Sequence, residues 1–365
     1  MTVQEVLQLN LIEKQFQESK QFFKTHQTKD IKFRKQQLKL LSKSIKDHET
    51  ELLESLKIDL GKGSVEAYAT EIGILLKSIK TARKELKNWA KTKQVDTPLF
   101  MFPSKSYIKP EPYGTVLIIG PFNYPVQLLF EPLIGAIAAG NNAIIKPSEL
   151  TPHVAQVVRK VIEDVFTSDF VAVVEGGVEE TQTLINLPFD YIFFTGSENV
   201  GRIVYEAASK NLVPVTLELG GKSPVIVDET ANIKVASDRI SFGKFTNAGQ
   251  TCVAPDYILV NRKVKNELIQ AFKQSIEEFY GKNIQNSPDF GRIVNTKHFN
   301  RLSELLAIHR NEVIFGGHTD ENEQYIEPTI LDGITPQSKI MEEEIFGPLL
   351  PIIVYDDFNE AIDII

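Results

Sequence analysis

Cysteine is nearly absent from this 365-residue sequence, which contains only Cys252. A single thiol cannot close an intrachain disulfide, and such sparse cysteine use is typical of a reducing compartment. A long apolar run is also missing, because three prolines and Glu131 interrupt the most apolar stretch, residues 116–139, where a membrane span needs roughly 20 uninterrupted residues. The opening MTVQEVLQLN has neither the basic nor the apolar region of a signal peptide. We therefore expect a cytoplasmic protein without a membrane span.

An excess of basic residues is lacking as well. The net charge is −8, whereas a protein that binds the phosphate backbone of nucleic acid usually presents a basic surface. Hydrophobic residues make up 42% of the chain and charged residues 24%, the balance of a globular protein with a sizeable core. We expect neither a nucleic-acid partner nor a bound metal.

Two kinds of sequence pattern follow one another along the chain. Residues 3–95 are polar with apolar positions at helical spacing; one predicted helix face contains Leu38, Leu41 and Ile45, and another contains Tyr68, Ile72, Leu75 and Ile79. A connector with four prolines follows at about 96–112.

From Gly114 onward, short apolar runs alternate with helical patterns, and a second such region begins near Ser223. This alternation predicts an α/β protein with parallel sheets. The runs are TVLIIG (115–120), NAIIKP (142–147), FVAVVEG (170–176), YIFFTG (191–196) and VTLELGG (215–221).

The best candidate for nucleophilic chemistry is Cys252. It lies in FTNAGQTCVAPD, a glycine-containing turn between a predicted helix and the strand YILV. A lone intracellular cysteine is more often a small buried hydrophobe than a nucleophile. The polar residues that precede it are not typical of a core, and an active thiolate needs an exposed, activating environment.

Two further polar residues lie at the ends of predicted strands. Glu218 ends an otherwise apolar strand in TLELGGK, where a carboxylate is either a costly buried group or a base with a raised pKa. When Glu218 is considered without the other motifs, a role in a structural salt bridge explains it equally well. Asn123 in IGPFNYP follows the first strand of the sheet and could donate a hydrogen bond to an oxyanion, although turn formation explains such an asparagine as well.

Three segments could hold a nucleotide. FTGSENVG places a glycine-bearing turn before a helix, whose N-terminus suits a pyrophosphate, but Gly196 and Gly201 do not form the standard GxGxxG pattern. KPSEL, with Lys146 and Glu149, follows another strand and could equally be a solvated loop. EEEIFGP, with Glu344, could be a plain surface turn.

Taken together, these segments resemble the aldehyde dehydrogenase superfamily, most closely its dimeric class 3 branch of fatty and aromatic aldehyde dehydrogenases. The resemblance runs from about residue 30 to Ile365, with all motifs in the family's order and at its spacing. The motifs are GPFNYP, AAGNNAIIKPSE, FTGSENVG, LELGGKSP, NAGQTCVAPDY and EEIFGP.

The resemblance implies a role for each matching residue. Cys252 matches the nucleophile, Glu218 the general base, and Asn123 the side-chain donor of the oxyanion hole. The remaining matches hold the cofactor: Lys146 and Glu149 at the adenosine ribose, Gly196, Ser197, Glu198, Asn199, Val200 and Gly201 under the pyrophosphate, and Glu344 and Phe346 at the nicotinamide ribose and ring.

The same resemblance implies the fold and the ligands. The expected fold is that of aldehyde dehydrogenases: an NAD(P)-binding domain over residues 1–216, with N-terminal helices, the connector and a Rossmann-like sheet over 113–216, and a catalytic α/β domain over 217–365. The expected substrate is a small-molecule aldehyde. NAD is the expected cofactor, since Glu149 would repel a 2′-phosphate, but NADP is possible because the class 3 branch accepts both.

The end of the sequence departs from the family pattern, in which the chain continues beyond Ile365. We therefore expect a catalytic domain that is incomplete at its C-terminus. Family members of full length are expected to form homodimers, and the missing segment would carry part of the dimer contacts.

Three alternatives remain open at this point. A CoA-acylating relative would pass the acyl group to CoA rather than water, although such relatives tend to lack the base that Glu218 matches. An inactive cofactor-binding remnant would follow from the truncation. A cysteine hydrolase has little support, because no histidine lies near the motif that contains Cys252.

Overall fold

The computed structural model describes residues 3–365, with side chains described from Asn10 onward. The chain divides into two compact units. The first comprises the described residues up to Ser55 together with Tyr68–Glu218, and the second comprises Leu56–Ala67 and Leu219–Ile365. The assignment of cofactor binding to residues 1–216 and of catalysis to residues 217–365 stays a prediction.

The helices and strands are numbered here in chain order. The helices are α1 (Val3–Lys24), α2 (Ile31–Asp47), α3 (Glu49–Leu60), α4 (Ser64–Ala67), α5 (Gly73–Trp89), α6 (Gln127–Ala139), α7 (Pro152–Glu163), α8 (Val178–Asn186), α9 (Glu198–Ser209), α10 (Ile233–Phe245), α11 (Lys265–Tyr280), α12 (Thr296–Ile308) and α13 (Phe358–Ile364). The strands are β1 (Lys93–Val95), β2 (Ser106–Ile108), β3 (Thr115–Ile119), β4 (Asn142–Lys146), β5 (Val171–Val173), β6 (Tyr191–Thr195), β7 (Val215–Glu218), β8 (Pro224–Val227), β9 (Tyr257–Asn261), β10 (Val313–Phe315), β11 (Thr319–Asp320), β12 (Tyr325–Ile326), β13 (Thr329–Leu331) and β14 (Leu349–Tyr355).

The first unit is built on a five-stranded parallel sheet with the order β5-β4-β3-β6-β7. Every residue of β3, β4 and β5 is buried, which explains why these strands read as continuous apolar runs rather than alternating ones. The five predicted apolar runs coincide with these five strands. The predicted α/β class and parallel sheet are confirmed.

The N-terminal helices of the first unit follow the predicted faces with one exception. Leu38, Leu41 and Ile45 of α2 are fully buried, as the helical spacing predicts. On the second face Ile72 is buried, whereas Tyr68 is 42% exposed. Residues 68–72 form a π-helical turn, which changes the angular phase of the helix, so Tyr68 leaves the buried face.

A small hairpin occupies the connector. Strands β1 and β2 pair antiparallel with Gln94 opposite Tyr107, and they were not predicted because the prolines of this segment indicated a loop. The tip of the hairpin exposes Leu99, Phe100 and Phe102.

The second unit contains a five-stranded sheet with the order β10-β13-β14-β9-β8, in which only β10 pairs antiparallel. Its core packs β9 and β14 against α10, α11 and α12 through buried residues such as Leu259, Phe272 and Leu302. The second α/β region, predicted to begin near Ser223, opens with β8, and Asp357 caps α13 by accepting from the Asn359 backbone N–H. Over residues 3–365, no helix is both long and apolar enough to cross a bilayer.

Candidate functional site

The carboxyl edge of the first unit's sheet gathers four of the predicted site segments. Asn123 lies in the loop after β3, Lys146 ends β4, Gly196 follows β6 and Glu218 ends β7. The strands are parallel and in register, with Thr195 opposite Glu218, so these ends lie along one edge. In open α/β sheets this edge is where ligands bind.

Lys146 and Glu149 form an ion pair at the end of β4. The Lys146 ammonium lies 2.7 Å from Glu149 Oε2, and the Lys146 side chain is only 3% exposed. Burial opposes ionisation of Glu149, but hydrogen bonds from Lys146 and from the backbone prevail and lower its pKa. The pair therefore presents a fixed carboxylate and a fixed ammonium, both of which can bind ribose hydroxyls.

The turn between β6 and α9 forms the predicted helix start. Ser197 is the N-cap of α9 and its side chain accepts from the Val200 backbone N–H at 3.4 Å. A Cβ at Gly196 would come within 2.5 Å of the Phe194 ring, so any larger residue would have to displace that buried ring. The N-terminus of this 12-residue helix can bind an anion such as a pyrophosphate, so this turn fits the dinucleotide that the sequence implies.

Asn123 is 3% exposed and lies just before α6. The fully buried Glu71 accepts hydrogen bonds from the backbone N–H groups of Val126 and Gln127 at 2.9 and 3.2 Å. Because this carboxylate holds the first turn of α6, it also fixes the end of the loop that carries Asn123.

Glu218 is exposed in the structure. The sequence analysis offered two interpretations of a carboxylate at the end of an apolar strand. The one that made Glu218 a costly buried group is therefore wrong. Its place as the last residue of the edge strand β7 explains the difference, since the three preceding strand residues are themselves only half-buried. An exposed carboxylate is accessible to water.

In the second unit, Cys252 is partly exposed and lies between α10 and β9, as predicted. The loop before it is left-handed at three consecutive residues, Asn247, Ala248 and Gly249, with φ values of 54°, 52° and 78°. Such a backbone is rare outside glycine and persists only where surrounding contacts enforce it.

Gln250 supplies several of those contacts. It is 1% exposed, and its side-chain amide donates to the carbonyls of Asn247 and Arg292 at 3.0 and 2.9 Å while accepting from the Val294 N–H at 3.0 Å. Glu66 accepts from the Asn247 N–H at 2.9 Å. The backbone that leads into Cys252 is therefore fixed from several sides.

Glu344 and Phe346 lie in the segment that precedes β14. A Cβ at Gly249 would lie 2.3 Å from the Gly347 carbonyl oxygen, and a Cβ at Gly220 would lie 2.0 Å from Glu344 Oε2. The Glu344 segment therefore lies against both the loop leading to Cys252 and the glycines that follow β7. Burial raises the pKa of Glu344, while a backbone hydrogen bond from Gly221 opposes that rise.

Sequence reasoning missed the ionic network that holds this segment. Lys222 lies 2.5 Å from Asp256 Oδ2, and Asp256 Oδ1 accepts from the Ile345 N–H at 2.9 Å. Lys244 is 1% exposed nearby, and burial lowers its pKa to about 8. Two charged residues next to apolar strands could have indicated this network in the sequence. Lys222 directly follows Gly221, and Asp256 directly precedes β9.

The structure thus groups the predicted residues in two sets. The first unit brings Asn123, Lys146, Glu149, residues 196–201 and Glu218 to one sheet edge. The second unit brings the loop leading to Cys252 against the segment that carries Glu344 and Phe346.

Comparison with known proteins identifies the family. The model of the "Aldehyde dehydrogenase family" matches residues 4–365. The chain is 70% identical over 354 residues to 4,4'-diaponeurosporen-aldehyde dehydrogenase of Staphylococcus aureus, covering 97% of this chain and 77% of that protein. It is 44% identical to aldehyde dehydrogenase family 3 member A2 of Macaca fascicularis, covering 97% of this chain and 73% of the relative.

Solved structures give the same result for the fold. A substrate-bound state of Staphylococcus aureus AldH has a TM-score of 0.95 at 70% identity, covering 96% of this chain and 77% of that chain. Betaine aldehyde dehydrogenase of Staphylococcus aureus, described in complex with NAD+, has a TM-score of 0.84 at 26% identity, covering 97% of this chain and 72% of that chain. The predicted fold and the resemblance to the class 3 branch are confirmed. The chain belongs to the aldehyde dehydrogenase family and is an enzyme that oxidises aldehydes.

Proposed function

We propose that this enzyme oxidises its aldehyde through a covalent thiohemiacetal and thioester on Cys252, with NAD or NADP as the electron acceptor. The observation that carries the proposal is the fixed left-handed loop, which ends at a partly exposed Cys252, the only thiol in the chain. A nucleophile needs exposure and a defined direction of attack, and this loop supplies both.

In the first step the Cys252 thiolate adds to the aldehyde carbon and forms a carbon–sulfur bond. The carbonyl oxygen gains negative charge. The buried amide of Asn123 and the Cys252 backbone N–H are the proposed donors to that oxyanion, which they stabilise most when the charge is fully developed.

The residues that match the family's cofactor contacts would hold the dinucleotide. Lys146 and Glu149 would bind the adenosine ribose, the turn at 196–201 would bind the pyrophosphate, and Glu344 and Phe346 would orient the nicotinamide end. A bound nicotinamide would supply the hydride acceptor, so that the thiohemiacetal on Cys252 could be oxidised to a thioester.

Glu218 acts in the second half of the reaction. Its exposed carboxylate accepts a proton from water as that water attacks the thioester carbon. The carbon–sulfur bond then breaks, the carboxylic acid leaves, and the Cys252 thiolate is regenerated.

The cofactor choice turns on Glu149. Its carboxylate is ionised near neutral pH, and the hydrogen bonds from Lys146 and the backbone lower its pKa further. It can therefore accept hydrogen bonds from a free ribose diol and would repel a 2′-phosphate. We therefore propose NAD as the preferred cofactor and NADP as a weaker one. A cytoplasmic location and the homodimer of the full-length family member stay predictions.

The proposed substrate class is drawn from the 70% identical relative, which is named 4,4'-diaponeurosporen-aldehyde dehydrogenase. We propose a long apolar aldehyde for this chain as well. A panel of short aliphatic, long aliphatic, aromatic and polyene aldehydes, compared by kcat/KM for NADH formation, tests this; a preference for short polar aldehydes would contradict it.

Substitution of the nucleophile tests the mechanism as a whole. Cys252→Ser is expected to abolish NADH formation, because a hydroxyl is a far poorer nucleophile near neutral pH. NAD+ binding measured by calorimetry serves as the folding control and should be unchanged in Cys252→Ser and Cys252→Ala. Retention of more than a few per cent of kcat in Cys252→Ser would overturn the covalent mechanism.

A further inference from the structure

We propose that Lys222, Asp256 and Arg301 are positioning residues for Glu344, and that they set how tightly the enzyme holds the nicotinamide half of its cofactor. None of the three is expected to touch the reacting atoms. The inference rests on the proposed function, because it takes Glu344 as a contact of the nicotinamide ribose.

Lys222 donates hydrogen bonds to three groups, one carboxylate and two backbone carbonyls. Its ammonium donates to Asp256 Oδ2 at 2.5 Å, to the Glu343 carbonyl at 2.8 Å and to the Ile340 carbonyl at 3.2 Å. An ammonium has three donors, so these bonds use its full capacity. The Lys222 side chain is 23% exposed and that of Asp256 only 4%, which places the pair largely out of water.

Asp256 links the same segment to the strand after Cys252. One carboxylate oxygen accepts from Lys222 and the other from the Ile345 N–H at 2.9 Å, while the Asp256 backbone N–H donates to the Ser223 carbonyl at 2.9 Å. Asp256 therefore joins the segment after β7, the segment after Cys252 and the segment of Glu344.

Arg301 on α12 completes the set. Its guanidinium donates to the Ile345 carbonyl at 2.6 Å. The backbone on both sides of Glu344 is thus held, at the Glu343 carbonyl by Lys222 and at both polar groups of Ile345 by Asp256 and Arg301. The Glu344 carboxylate has little room to move, since it already occupies the space beside the Gly220 Cα.

The expected consequence is specific to one half of the cofactor. When one partner of a largely buried ion pair is removed, the other is left uncompensated and the surrounding backbone relaxes. A displaced Glu344 would weaken contacts at the nicotinamide ribose. The adenosine half is assigned to the first unit, at Lys146 and Glu149, and should bind as before.

The test compares NAD+ with ADP, which lacks the nicotinamide and its ribose. In Lys222→Met and Asp256→Asn, calorimetry is expected to show NAD+ affinity reduced by about tenfold, the usual cost of a charged hydrogen bond, with ADP affinity unchanged. Lys265→Met is the matched control: Lys265 pairs with Asp332 at 2.7 Å in the same unit, with a 24% exposed side chain, and should leave both affinities unchanged. Arg301→Lys is a milder second variant should the first two fold poorly, and it should weaken NAD+ alone.

A double-mutant cycle separates positioning from a general structural role. In a Glu344→Gln background, Lys222→Met should cause no further loss of NAD+ affinity, because its effect is exerted through Glu344. Fully additive losses, or equal losses for NAD+ and ADP, would overturn the proposal. If Glu344→Gln alone leaves NAD+ affinity unchanged, the proposed role of Glu344 has failed; if Glu344→Gln weakens NAD+ and Lys222→Met does not, the positioning role has failed by itself.

Discussion

At the scale of single residues, the loop before Cys252 shows how sterics fix a nucleophile. Gly249 combines a φ of 78° with a Cβ position only 2.3 Å from the Gly347 carbonyl oxygen. The sequence could mark this glycine as part of a turn. It could not show the second requirement, because Gly347 lies about a hundred residues further along the chain and only folding brings the two together.

Gly249→Ala should therefore cost activity beyond its cost in stability. The clash forces the backbone at residue 249 or 347 to move, which displaces Cys252 or Glu344, and a misplacement near 1 Å costs about 10²-fold in rate. The measurement is kcat/KM beside thermal unfolding. Gly281→Ala is the matched control, since Gly281 has the same φ of 78° but no atom within 4 Å of an added Cβ. Similar kcat/KM values for the two variants would show that the Gly347 contact has no effect on catalysis.

Among the candidate site residues, Glu218 is more exposed than one of its sequence-based interpretations required, and its proposed task gives a kinetic signature. Because Glu218 is needed only after the thioester exists, Glu218→Gln should slow hydrolysis by about 10²–10⁴-fold and leave NADH formation in the first turnover fast. Stopped-flow absorbance should record a burst of NADH followed by slow turnover. Glu206→Gln, a change at another exposed glutamate of the first unit, should show no burst. Absence of a burst, with NADH formation and hydrolysis slowed equally, would assign Glu218 a role in thiol activation or in structure.

At the scale of elements, the sequence predicted the strands that are determined by the local order of apolar and polar residues. Strands β3 to β7 lie where the apolar runs indicate. The β1–β2 hairpin was missed because its apolar tip, Leu99 to Phe102, lies between prolines and packs into no core. The π-helical turn at 68–72 was missed because tertiary contacts such as those of Glu71 with the start of α6, rather than intrinsic propensity, stabilise it.

Helices α3 and α7 are linked by a histidine between two carboxylates, which makes part of the stability depend on pH. His48 Nε2 lies 2.7 Å from Asp164 and Nδ1 lies 3.0 Å from Glu51. The hydrogen bond with Asp164 is the main cause that raises the pKa of His48. A folded-state pKa above the unfolded value means that the stabilisation is complete below about pH 6.5 and is lost as pH rises through the folded-state pKa.

His48→Gln should therefore reduce the free energy of unfolding at low pH and have little effect at high pH. The expected loss is less than about 1 kcal/mol, since the carboxylate partners are solvent-exposed. Urea unfolding at about pH 5.5 and about pH 8.5, on either side of the ordinary histidine pKa, provides the comparison. Asp164→Asn removes the main partner and should reproduce the effect. A difference from wild type that is equal at both pH values would exclude titration of His48 as its cause.

At the scale of the whole molecule, the boundary of the two units was the least predictable feature. Residues 56–67 belong to the second unit although helices of the first unit flank them in sequence. Their contacts are long-range: Glu66 accepts from the Asn247 N–H, and the Leu60 carbonyl accepts from the Arg292 N–H at 2.7 Å. No periodicity in the sequence records such pairings, because the partners are separated by about two hundred residues.

Binding of the cofactor's adenosine half can be followed in the first unit alone. Trp89, the only tryptophan in the chain, ends α5 in the first unit, so its fluorescence reports unfolding there. Lys146, Glu149 and residues 196–201, which are proposed to bind the adenosine half of the cofactor, all lie in the same unit. A ligand that binds only the folded state stabilises it by about 2.7 kcal/mol at a hundred times its Kd.

ADP should therefore raise the urea midpoint seen by Trp89, in proportion to the logarithm of its concentration above Kd. Lys146→Met removes an ammonium that is 3% exposed and should abolish this ADP-dependent rise, whatever it does to the midpoint without ligand. Lys160→Met is the control, because Lys160 is an exposed lysine of the same unit that pairs with Glu51 at the surface, away from the carboxyl edge of the sheet. A Trp89 midpoint that does not move with ADP, in a protein that still binds NAD+ by calorimetry, would mean that the adenosine half binds elsewhere than at the carboxyl edge of β4 and β6.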